Sequence, residues 1–301
     1  MCVTCMMLWK AIFLTTFFKE SFSIVTMTSQ EFQFLQEHKM NVREHLSNND
    51  LNTIVYEEWY RLHSYCPSIS DDPSIQIYFD GSLTGGTVLA WASQTLILDE
   101  DLLWKTSLIK PYYSGYDITI GVNPDIPNGW HSSLSCDDIG YRYDLRTVLR
   151  HELVHGMSMA SSLYHDGTSW SLGHVTSGIC YPRFYDTKIT DSTGQPIVQG
   201  CALNSDVLGA DLYLGGVKLY NPNIFQAGSS ISHHNYPGHL MYKSLSSRTC
   251  IDLGDYEMQM LGALEIPCNS TIDSSGTYAV RCEVFSFLPS LALALLLVFL
   301  S

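Results

Sequence analysis

Positive charge is scarce in this chain. Its 301 residues carry 16 Lys and Arg against 30 Asp and Glu, a formal net charge of −14. No cluster of Lys or Arg could track a phosphate backbone, so nucleic acid is not an expected partner. The acidity suits a solvated surface instead. Internal repeats and low-complexity segments are absent, which excludes repeat arrays. Hydrophobic residues make up 46% and aromatics 12%, enough to build a core and too much for a disordered chain. Glutamate is missing altogether between Glu152 and Glu257. A continuous apolar stretch of the ~20 residues needed to span a bilayer is missing as well.

Both ends read as processing signals. Behind Lys10, the apolar run Ala11–Phe18 leads to the small residues of Ser21-Phe22-Ser23, the layout of a secretory signal over 1–23. The terminal run 285–300, FSFLPSLALALLLVFL, has 16 residues, is interrupted by Pro289 and is followed only by Ser301. Ser274-Ser275-Gly276 lies upstream. That arrangement predicts a glycolipid (GPI) anchor signal within 269–301 whose tail is removed, and so a protein held at the outer face of a membrane by lipid. Of nine cysteines, Cys2 and Cys5 would leave with the leader and Cys282 with the tail. Six remain: Cys66, Cys136, Cys180, Cys201, Cys250 and Cys268. An even set suits disulfides in an oxidising compartment. Expected pairs are Cys180–Cys201 across a hairpin, Cys250–Cys268 beside the last helix, and Cys66–Cys136 by elimination. A free Cys66 would instead suit a thiol that latches a metal. Asn269-Ser270-Thr271 is a glycosylation acceptor.

Between the ends, residues 24–73 predict a helical segment or propeptide, with helices within 28–63. A domain over 74–268 follows. SIQIYF (74–79), GGTVLAWA (85–92) and YDITIGVN (116–123) alternate as strands do. A helix is expected over 144–157, a hairpin in RFYDTKITDSTGQPIVQG around Ser192-Thr193-Gly194, and a last helix over 255–264. The fold class is α/β (α+β).

The chemistry centres on His151-Glu152-Leu153-Val154-His155. Asp144 can cap the helix start, and Leu145, Val148, Leu149 and Leu153 form a stripe that holds it against a sheet. His151 and His155 lie one turn apart, so both imidazoles can share one ion. Glu152 then stands beside the metal, where a carboxylate can take a proton from a zinc-activated water. A solvated helix face is the alternative; the mid-helix position in an exported chain favours the metal. A catalytic zinc needs a further ligand. A downstream Glu is excluded by the gap noted above. Ser158 and Ser161 stand where the compact HExxHxxGxxH spacing needs Gly and His. His165, His174, His233, His234, His239 and several aspartates remain; His165 and His174 read as loop residues facing solvent.

GSSISHHNYPGHLMYKSL resembles the second half of the site in leishmanolysin-like metzincin zinc peptidases, and the likeness extends weakly over residues 74–265. The resemblance implies that His233 is the third ligand and Met241 the methionine of the turn beneath the metal, although His234 adjoins His233. It also implies a metzincin-like fold: a twisted sheet and active-site helix, with a looser C-terminal subdomain. Gly86, Thr87, Val88, Leu89 and Ala90 match that family's edge strand, whose free backbone would pair with an extended peptide. The expected activity is endopeptidase cleavage of peptides or proteins, with one Zn2+ per chain, Glu152 as general base, and Tyr236 or Tyr242 as a possible oxyanion partner. Two alternatives stand beside it: a cell-surface binding protein that keeps a zinc site without proteolysis, and a zinc hydrolase acting on another bond.

Overall fold

Period-two runs of β-branched residues become one twisted sheet. The computed structural model describes residues 22–27, 46–99, 101–109, 115–176, 179–204 and 206–269. Its sheet contains β1 (Phe22–Thr26), β2 (Ile75–Phe79), β3 (Val88–Gln94) and β4 (Ile118–Val122), in the order β1-β3-β4-β2. β2 and β4 run parallel; β3 runs antiparallel to β4. Every residue of the central β4 is buried, Thr119 included. The architecture is mixed α+β, with several two-residue ladders beyond residue 164.

Among the described residues three longer helices accompany the sheet: α1 (Asn48–Tyr65), α2 (Leu145–Gly156) and α3 (Asp255–Ala263). α1 begins in a capping box formed by Ser47 and Asp50, satisfying backbone N–H groups that the first turn leaves orphaned. Its buried face, Leu51, Ile54, Val55, Trp59 and Leu62, joins the core. On the same helix, Glu58 is buried and grips α2: Oε1 accepts from Arg146 at 2.9 Å and Oε2 from Arg150 at 2.6 Å. α2 is capped by Asp144, which accepts from the Thr147 backbone N–H at 2.9 Å. All 12 of its residues are buried. At its end, any side chain on Gly156 would collide with Ile118 of β4, so glycine sets how closely helix and sheet approach.

Several expectations need correction. The edge strand is not open: β1 lies antiparallel to β3, pairing Val25 with Ala90 and Thr26 with Val88, while Ala90 also pairs with Val122 of β4. Ala90–Ser93 are therefore paired on both sides, and Thr87 accepts the Met27 N–H at 2.9 Å. The reason is a strand supplied by residues assigned to the leader and the segment after it. Two disulfides also differ from expectation. Cys66 joins Cys268 and Cys136 joins Cys250, while Cys180 does join Cys201. The end of α1 runs beside the chain that leaves α3, which brings together cysteines far apart in sequence, and Cys66 is no free latch. In the hairpin region the chain does reverse around Ser192-Thr193-Gly194, with Thr190 bridging Pro196 antiparallel, but Phe184–Thr187 is helical and Val198–Gln199 pairs with Ala202–Leu203. The leader before Phe22, the expected helix in 28–45 and the anchor signal from 270 onward lie outside the described residues. Among those described, no helix is long and apolar enough to cross a membrane.

Candidate metal centre

α2 presents His151 and His155 on one face, and the loop after residue 228 brings His233 to meet them. The three Nε2 atoms form a near-equilateral triangle: 3.1 Å between His151 and His233, 3.1 Å between His155 and His151, and 3.2 Å between His155 and His233. Each ring is fixed from behind by a backbone carbonyl. The Nδ1 of His151 donates to Leu240 O at 2.6 Å, that of His155 to Met159 O at 2.5 Å, and that of His233 to Ser229 O at 2.8 Å. A carbonyl can only accept, so Nδ1 carries the proton in each ring. Every Nε2 then offers a lone pair to the same point, and none can donate to another. Burial holds all three imidazoles neutral: it drives His151 and His155 well below the usual histidine range, helped by the neighbouring His233 and, for His155, by His151, and it lowers His233 to about 4. Three converging lone pairs repel unless a cation sits among them. Tetrahedral ligands ~2.0–2.1 Å from zinc lie about 3.3 Å apart, close to the spacing seen here. The donor set therefore fits zinc, and backbone carbonyls behind metal-binding histidines are a usual outer shell.

Glu152 follows His151 on α2. It is wholly buried and neither carboxylate oxygen has a hydrogen-bond partner. Burial raises its pKa well above the ordinary carboxylate value, and outweighs a lowering by the Val25 backbone N–H. A buried, unpartnered carboxylate suits a group that holds or transfers a proton.

A second layer sets the loops. Met241 is buried; its N–H donates to Glu257 Oε1 at 2.9 Å, and its carbonyl accepts from the His234 N–H at 3.1 Å. His234 donates from Nε2 to the same Glu257 oxygen at 2.8 Å, so it faces away from the triad, and His233 is the ring that joins it. Tyr220 pins the His233 loop on both sides: its N–H donates to His233 O and its carbonyl accepts from the Ile231 N–H, both at 2.7 Å. After α2, Ser158 adopts φ +114°, a conformation that favours the glycine expected at this turn. The loop beyond it is anchored by buried Asp186, which accepts from the Ser161 hydroxyl at 2.6 Å and the Ser162 N–H at 3.0 Å. Ser161 N–H in turn donates to Ser232 Oγ at 3.0 Å, linking the two histidine-bearing loops. Tyr236 stacks on Tyr256 with ring centroids 4.2 Å apart, on the Glu257 side of the loop. His165 packs against Trp170 in a hairpin, and His174 lies in another short strand.

Glu58, Asp186, Glu257 and β1 were invisible as site elements in the sequence. Only Glu257 left a signal: it is the first glutamate after Glu152. The chain shows no significant similarity to known protein families, curated proteins or solved structures.

Proposed function

We propose that this protein is a zinc-dependent endopeptidase of the leishmanolysin-like metzincin kind, in which His151, His155 and His233 hold one zinc ion. The observation that carries this reading is the convergence of three neutral Nε2 lone pairs on one point, with the buried, unpartnered Glu152 next to His151 in the chain. Three imidazoles leave a further position open, as catalytic sites do and closed structural sites do not. When bound, zinc supplies Lewis acidity at this point. The chain's own residues do the remainder. Leu240, Met159 and Ser229 carbonyls fix ring orientation and tautomer. Glu152 accepts the proton of the attacking water and delivers it to the leaving amine. Three disulfides are compatible with an oxidising, extracellular setting. The C-terminal apolar run supports attachment to the outer surface through lipid, so a phosphatidylinositol-specific phospholipase should release the protein from intact cells.

The test is metal content and turnover on a peptide library, with and without a chelator. Secreted protein should hold one zinc per chain. Replacing any of the three histidines by Ala should abolish tight binding. Glu152→Gln should keep the metal and lose ~10²–10⁴-fold of turnover, the usual contribution of a general base. Full turnover in Glu152→Gln, or zinc retained in His233→Ala, would reject the assignment.

A further inference from the structure

Two strained turns flank the histidines. Ser158 lies three residues after His155 at φ +114°, and Ile231 lies two residues before His233 at φ +68°. A β-branched residue rarely adopts the left-handed region, because its Cβ crowds the following carbonyl. Such a conformation persists only where its surroundings impose it. For both loops those surroundings include one short stretch, Arg183-Phe184-Tyr185-Asp186. Phe184–Thr187 is a single helical turn, and Phe184 and Tyr185 are rooted in the core. Successive side chains on a helix diverge by about 100°, so neighbours can serve different loops. The Tyr185 hydroxyl donates to Ile231 O at 2.7 Å. The Ile231 N–H donates to Tyr220 O, so both backbone groups of this strained residue are held. Asp186 serves the other loop, where it accepts from the Ser161 and Ser162 hydroxyls and from the Ser162 N–H. Arg183 Nη1 donates to Ala160 O at 2.8 Å, one residue beyond the Met159 carbonyl that orients His155. Arg183, Tyr185 and Asp186 are all buried.

Resting on the zinc reading of the three histidines, we propose that Tyr185 and Asp186 are positioning residues: they hold the loop after His155 and the loop before His233 at a fixed separation, so that the three Nε2 atoms meet at the spacing a zinc ion needs. The two loops are also joined directly, since the Ser161 N–H donates to Ser232 Oγ. A shift of either loop is therefore passed to the other. The Met159 and Ser229 carbonyls, which fix the His155 and His233 rings, lie in these same loops. Orienting the ligands is what an outer shell contributes to a metal site, and its loss typically costs ~10–100-fold in metal affinity or activity. The residue types suit the task. A carboxylate can take several donors at once, as the Ser161-Ser162 end requires, and a phenol supplies the one donor that the Ile231 carbonyl needs.

The test uses the full chain and small changes. Tyr185→Phe removes one oxygen, Asp186→Asn removes one acceptor, and Ser161→Ala removes one hydroxyl that Ser161→Thr keeps. Zinc affinity is read by competition with a chromophoric chelator. Site geometry is read from the visible absorption of protein loaded with Co2+ in place of zinc. Tyr185→Phe and Asp186→Asn should each weaken zinc binding ~10–100-fold and shift the cobalt bands. On a peptide substrate they should lower kcat with KM little changed. Ser161→Ala should move the same quantities in the same direction, and Ser161→Thr should return them to the parent values. A role confined to the fold would lower the melting temperature of the metal-free protein while zinc affinity and the cobalt spectrum stay those of the parent; that result overturns the proposal. If Asp186→Asn does not fold, Tyr185→Phe and the two Ser161 variants decide by the same criteria. If zinc is weakened as stated but even the parent hydrolyses no peptide, the positioning role stands and the peptidase reading falls. A parent chain that takes up no zinc removes both.

Discussion

Glu257 shows how much one buried side chain can organise. Its Oε1 serves both the Met241 amide and the His234 ring, and its Oε2 accepts the Gly254 N–H at 3.0 Å. Burial pushes its pKa up, but the hydrogen bonds from His234 and Met241 outweigh this and leave it below the ordinary 4.5. Because the folded value is depressed, the unfolded state binds the proton more readily. The carboxylate's contribution is therefore complete above about pH 4.5 and is lost as pH falls through the folded value. Glu257→Gln would retain one acceptor and place an amide NH2 where a second acceptor now stands. Metal-free variant should lose about 1–3 kcal/mol at pH 7, measured by urea unfolding. The gap to the parent should narrow towards pH 3. A gap of equal size at both pH values would mean that the charge contributes nothing.

At the scale of elements, the clamp between α1 and α2 is ionic as well as apolar. Glu58 neutralises Arg146 and Arg150, which lie one turn apart on α2. Removing it takes their shared carboxylate from two buried guanidinium groups, and breaking a buried pair costs ~3–5 kcal/mol. Arg146 keeps Glu57 and Ser132 O, and Arg150 keeps Ile251 O and the Asp252 carboxylate at 3.5 Å, so Glu58→Ala should fall near the lower end. Thermal unfolding measures this; a change below about 0.5 kcal/mol, typical of surface sites, would show the clamp to be idle. How far such elements were legible followed from how local their causes are. α2 announced itself through Asp144, its apolar stripe and the two histidines, all within a few turns. The strands at 75–79 and 118–122 were equally plain in their alternation. β1 was not, because Phe22–Thr26 follows an apolar run that reads as a leader, and its partner lies more than sixty residues on. The Cys180–Cys201 bridge closes a short local loop and was legible. The Cys66–Cys268 and Cys136–Cys250 bridges depend on where α1, α2 and α3 end in space. Glu58 read as one acid among several on a polar helix, since sequence does not say which face of a helix is sealed.

For the whole molecule, the proposed metal is the tie that joins the helix of the sheet to the long loop region after it. His151 and His155 belong to α2, while His233 belongs to a loop fixed by Tyr220, Glu257 and Ser161. Two long-range disulfides, spanning 202 and 114 residues, hold the same regions together independently. Loops of about 100 residues closed this way restrict the unfolded chain by roughly 4–5 kcal/mol each in the chain-entropy account. The core is also continuous from the sheet through Met241, Leu253 and Met260. Removing zinc should therefore lower stability without unfolding the protein. Ligand present at about a thousand times its dissociation constant contributes about 4 kcal/mol. For a domain of this size that corresponds to a melting temperature lower by roughly 10 °C. Calorimetry of protein with zinc and after chelation should show this loss, with far-ultraviolet circular dichroism unchanged at 25 °C and the melting point restored by zinc. His233→Ala should melt at one temperature whether or not zinc is added. A chelator that leaves the parent's melting point unchanged would mean that the three imidazoles hold no ion. A chelator that unfolds it at 25 °C would mean that metal, and not disulfides and core, carries the fold.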